Sequence, residues 1–116
     1  MKKLTLLPLT LSLFSTMLFA TDLTIYKSPY CGCCTAWAEL VEEAGFNVTI
    51  VEQTNNNQLR AEHGITPALT SCHTAIVEGY AIEGHVPIKD IKRLLAEKPN
   101  LSGLAVPGMP ASSPGM

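Results

Sequence analysis

Three of the chain's four cysteines fall within four positions, Cys31-Gly32-Cys33-Cys34, where a strand pattern gives way to a helical one. Leu23-Thr24-Ile25-Tyr26 reads as a short strand closed by Ser28-Pro29. Trp37, Leu40, Val41 and Ala44 then repeat at i, i+3, i+4 and i+7, one apolar helical face, and Gly45 is a fitting stop. A strand that passes through a tight turn into an amphipathic helix calls for a return strand beside it. Val48-Thr49-Ile50-Val51 supplies that strand.

Beyond it, Asn55 to His63 is polar and reads as a short exposed helix ended by Gly64. Thr74 to Val77 and Tyr80 to Glu83 flank Glu78-Gly79, a two-residue hairpin loop. Pro87 suits the first turn of a last helix, with Ile88, Ile91, Leu94 and Leu95 as its inner face before Pro99. The order is β-α-β-α-β-β-α, an α/β sandwich of the thioredoxin-like kind, with the cysteine motif after the first strand. This domain is expected over residues 21–98. Residues 99–116 form a Pro/Gly-rich tail that can make neither a helix nor an inner strand. Composition alone favours a mobile terminus. The alternative is an extended arm laid on the domain that delivers Met109 or Met116.

Residues 1–20 have the layout of a secretory signal: Lys2 and Lys3, a Leu-rich run, and a Leu18/Ala20 cleavage site before Thr21. A membrane anchor is the competing reading. The run is short for a span, carries Pro8 and lacks a following basic cluster. Of 8 basic residues, two leave with the leader, so against 10 acidic residues the net charge becomes about −4. That balance excludes nucleic acid as a partner, and membrane too once the leader is cleaved. An exported domain must also oxidise its cysteines or give them to metal.

At a helix N-terminus the unpaired N–H groups and helix dipole favour thiolate, which makes Cys31 the candidate reactive sulfur. Cys34, one turn on, has the spacing to close a disulfide with it; Cys31 and Cys34 are thus the candidate redox pair. Cys33 has no role in a simple dithiol cycle. Counting back from the hairpin, Cys72-His73 stand in the loop that carries a cis-proline in thioredoxin-like folds, against the cysteine cluster. Pro67 falls too early for that role. The fourth strand returns to the same end and puts His85 near the rim, about 10 Å from the first strand. Four sulfurs and an imidazole form a soft ligand set, suited to Cu(I), more than one ion through bridging thiolates, and less well to Zn(II). Two disulfides that merely staple the domain are the bland alternative, with poor geometry for adjacent Cys33 and Cys34. His63 reads as a helix C-terminal residue, Trp37 and Tyr26 as core, and Tyr30 as a partial shield beside the motif.

With "YCGCC", "SCHTAIVEGYAIEGHVP" and "GLAVPGMP" followed by "SPGM", the sequence closely resembles the CopG-like periplasmic proteins of bacterial copper resistance. The resemblance covers essentially the whole mature chain. It implies a thioredoxin-like domain in the periplasm that binds Cu(I) through Cys31, Cys33, Cys34, Cys72 and His73, with Met109 and His85 as further ligands. It also implies a copper-dependent redox role and, as partners, copper ions and other periplasmic copper-handling proteins. A protein disulfide oxidoreductase built on Cys31 and Cys34 is the rival reading.

Overall fold

A computed structural model describes residues 2–13 and 19–116. Leu18 of the expected cleavage site and residues 14–17 of the apolar run lie outside the described residues. Residues 2–13 are exposed and without regular secondary structure. Among the described residues no helix is long and apolar enough to cross a membrane.

The chain runs β1 (Asp22–Lys27), α1 (Gly32–Glu43), β2 (Asn47–Glu52), α2 (Asn57–Glu62), a 3-10 turn (Pro67–Leu69), β3 (His73–Val77), β4 (Tyr80–Glu83), α3 (Ile88–Glu97) and β5 (Gly103–Ala105). The expected β-α-β-α-β-β-α order is the observed one, with a fifth strand added from the tail. The sheet order is β2-β1-β3-β4-β5. β2 is parallel to β1 because α1 carries the chain back over the sheet, whereas β3 pairs antiparallel to β1 and β4 to β3. Glu78 and Gly79 both have positive φ (47° and 82°), the conformation a two-residue hairpin loop demands.

Paired residues of neighbouring strands share a face, so the register sorts the side chains. Leu23, Ile25 and Lys27 of β1 lie beside Val77, Ala75 and His73 of β3 on one face. The apolar members join Trp37, Ala38, Val41, Ile82, Ile91 and Leu94 in the core. Burying each large aliphatic side chain there contributes about 2 kcal/mol. The buried stripe of α1 is Cys34, Trp37, Ala38 and Val41; Leu40 and Ala44 lie at its margin. The i, i+3, i+4, i+7 period holds, but it starts one turn earlier, on a cysteine.

The tail is a docked arm and not a loose terminus. β5 adds a parallel edge strand to β4. Val106 N–H donates to the Glu83 carbonyl at 3.0 Å, and Ser71 forms an isolated bridge with Gly108. Composition excluded helix and inner strand correctly. It carried no information about the unpaired edge of β4, which holds the arm.

Candidate metal centre

Cys31 is the N-cap of α1, and its own N–H donates to the Ser28 carbonyl at 3.2 Å. The Lys27 ammonium donates to the same carbonyl at 3.0 Å, so a buried positive charge stands beside the first turn of the motif. Cys31 and Cys34 form a disulfide, while Cys33 and Cys72 are free thiols. The Cys33 sulfur lies 3.5 Å from that of Cys31. Cys34 is fully buried, and Cys33 and Cys72 are half-buried.

His73 is the first residue of β3 itself and not part of the preceding loop. Its ring stacks at 4.5 Å on Trp37, whose indole N–H donates to the Val86 carbonyl at 3.0 Å. Burial, and then the proximity of His85, hold its pKa down at about 3, so the imidazole is neutral. The Cys72 sulfur lies 3.4 Å from His73 Nδ1. Burial raises the pKa of the Cys72 thiol, which the Ser71 hydroxyl partly offsets.

His85 is not at the rim. It is buried, and its ring centroid is 5.2 Å from that of His73. Gly84, at φ 78°, turns the chain back over the start of β3, where its N–H donates to the His73 carbonyl at 3.0 Å. Interstrand spacing alone could not foresee that turn. The donor atoms therefore fall into two overlapping sets, Cys31, Cys33, Cys34, Cys72 and Cys34, Cys72, His73, His85, with all atoms of a set within 4.8 Å of one another. Cys34 and Cys72 belong to both. The Nε2 atoms of His73 and His85 are buried and have no hydrogen-bond partner among the described residues. A buried polar atom left so costs about 1–3 kcal/mol, and a soft ion among the thiols would repay it.

His63 and Tyr30 fall outside the cluster. His63 caps the C-terminal end of α2, as its sequence position suggested, with Nδ1 3.0 Å from the Leu59 carbonyl. Tyr30 is 90% exposed and shields nothing. Met109 is about half exposed; it follows Gly108, whose bridge partner Ser71 precedes Cys72.

Sequence reasoning missed what holds the Cys72-His73 pair. Glu83, fully buried on the other face of the sheet, accepts from Ser71 N–H at 3.2 Å and from the Thr74 hydroxyl. Those two residues bracket Cys72 and His73. Arg60 of α2 donates to Glu83 at 2.8 Å and to the Ser71 carbonyl at 3.0 Å. A carboxylate closing the otherwise apolar strand Tyr80–Glu83 was the available signal.

A family described as a protein of unknown function, DUF411, matches residues 69–116. Two solved structures, both named copper resistance protein copG (form 2 and form 1), superpose with a TM-score of 0.79 at 38% sequence identity. Each match covers 84% of this chain and 78% of the other. No curated protein sequence matches the chain.

Proposed function

The chain belongs to the CopG copper-resistance family, and from that premise we propose that it is an exported copper-handling protein that holds Cu(I) at its cysteine cluster. Copper is the cargo. Cys31, Cys33, Cys34, Cys72 and His73 supply the donors, with His85 beside them and Met109 offered by the arm. The observation that carries the reading is the convergence of the donor atoms of Cys34, Cys72, His73 and His85 within 4.8 Å of one another, with a buried Nε2 on each ring that has no partner among the described residues. Neutral imidazole and thiolate suit Cu(I). Two donor sets that share Cys34 and Cys72 favour more than one bridged ion over a single tetrahedral Zn(II), which would leave donors idle.

The Cys31–Cys34 disulfide is the metal-free state of this reading, because it withdraws Cys34 from both sets. Coupled turnover balances with two Cu(II) ions as oxidant: the two thiols join as a disulfide and release two protons, and two Cu(I) ions form. Residues 1–20 would direct export to the periplasm, residues 21–98 would form the binding domain, and the 99–116 tail would complete it. Other copper-handling proteins of that compartment are the partners that load or empty the site.

Anaerobic titration of the reduced protein with Cu(I) tests the reading. Tight, stoichiometric binding that collapses in Cys33→Ser with Cys72→Ser is expected; no binding, or binding undiminished in that double variant, sinks it. The formed disulfide at the start of α1 favours a second reading, a protein disulfide oxidoreductase. There Cys31→Ser abolishes turnover of a disulfide substrate, whereas Cys33→Ser and Cys72→Ser leave it intact.

A further inference from the structure

The C-terminal arm ends on the site. Two contacts fix its last residues, one to His85 and one to α1. The Pro114 carbonyl lies 2.6 Å from His85 Nδ1. Gly115, at φ 83°, passes so close to α1 that a Cβ would stand 2.8 Å from the Trp37 backbone nitrogen. Upstream, the arm is held by β5 and by the Ser71–Gly108 bridge, where Gly108 N–H donates to the Thr70 carbonyl at 3.2 Å. The arm thus spans from the residue before Cys72 to the ring of His85.

The His85 contact has a chemical consequence. A carbonyl oxygen only accepts, so Nδ1 must carry the ring proton. In that tautomer the lone pair of the ring is at Nε2. That atom is buried and has no partner among the described residues, and His85 has a ring nitrogen within 4.8 Å of the donor atoms of Cys34, Cys72 and His73. Among the described residues no other hydrogen bond to the ring selects this tautomer, and an Nε2–H ring would leave that buried atom with no lone pair to give a metal. A ligating histidine whose other nitrogen is held by a backbone carbonyl is the arrangement that fixes ring orientation and basicity at metal sites.

We propose that the C-terminal arm is part of the metal site, with the Pro114 carbonyl positioning His85 as an Nε2 ligand for the soft ion. The inference rests on the copper-binding reading above. Pro114 is a positioning residue and touches no metal; its effect passes through His85.

Two variants displace the arm, one ending at Ser113 and one carrying Gly115→Ala in the full-length chain. In metal-free, 15N-labelled protein the His85 ring should show the Nδ1–H tautomer, and both variants should lose it while His73 keeps its signals. Competition for Cu(I) with a chromogenic chelator should show an affinity loss of about 10- to 100-fold in each variant. In a His85→Gln background, ending the chain at Ser113 should cost nothing further, because the arm acts through that ring. An Nε2–H ring in the parent protein, an unchanged tautomer in both variants, or a Cu(I) affinity within twofold of the parent overturns the inference and leaves the copper reading standing. Failure of the parent protein itself to bind Cu(I) overturns both, and the tautomer measurement, made without metal, tells the two failures apart.

Discussion

Lowering the pH should loosen the metal-free fold through His73. Its folded pKa is about 3, against an ordinary value of 6.5, because the ring is fully buried against Trp37 and faces His85. The folded value is depressed, so between the two values the unfolded chain binds a proton that the folded chain refuses. The stability this withholds is fully present above pH 6.5 and is lost progressively as the pH falls toward 3. From pH 8 to pH 5 the loss is about 2 kcal/mol, and below pH 3 it approaches about 5 kcal/mol. With a urea dependence of about 1 kcal/mol per molar for a domain of this size, the midpoint should drop by roughly 2 M between pH 8 and pH 5. The assay is urea denaturation of the oxidised, metal-free protein at the two pH values, beside His73→Leu. Groups shared by the two proteins cancel in the difference between their pH responses, which leaves the His73 contribution. A difference below about 0.5 kcal/mol would show that the ring is protonated in the folded state, and the argument from burial would fail.

Glu83→Gln should cost about 3 kcal/mol in a denaturant titration, because the Arg60 guanidinium, only 13% exposed, loses its charged partner. Gly103→Ala should peel β5 from β4, since its Cβ would overlap the Ala81 carbonyl oxygen at 1.7 Å. Faster amide exchange at Val106, whose N–H donates to the Glu83 carbonyl, with a stability loss of about 1–3 kcal/mol, would report it, and unchanged exchange would refute it. A thiol assay on denatured, oxidised, metal-free protein should count two free cysteines, Cys33 and Cys72, and four after reduction.

Most of the fold was legible because its signals are local. The period of α1, the Glu78-Gly79 loop, and the stop at Gly64 each depend on a few neighbouring residues and on backbone sterics. The apolar face of α1 was read as starting one turn late because Cys34 and Ala38 were not counted as apolar, although both are buried. The sulfur donors were legible too, since Cys31, Cys33 and Cys34 sit in one turn and Cys72 could be placed by counting back from a hairpin. His85 was misplaced to the rim. Its position depends on the direction of the chain after β4, set by Gly84 and by the bond from its N–H to the His73 carbonyl.

The sequence by itself determined the element order, the soft donor set and the net charge of the domain, because these follow from residue type and spacing. Only the tertiary structure decided which nitrogen of His85 is free, what clamps Cys72, and where the tail lies. Arg60 with Glu83, and His85 with Pro114, are pairs far apart in the chain. Such pairs form only when packing brings together buried groups that must find partners, and no local period encodes that requirement.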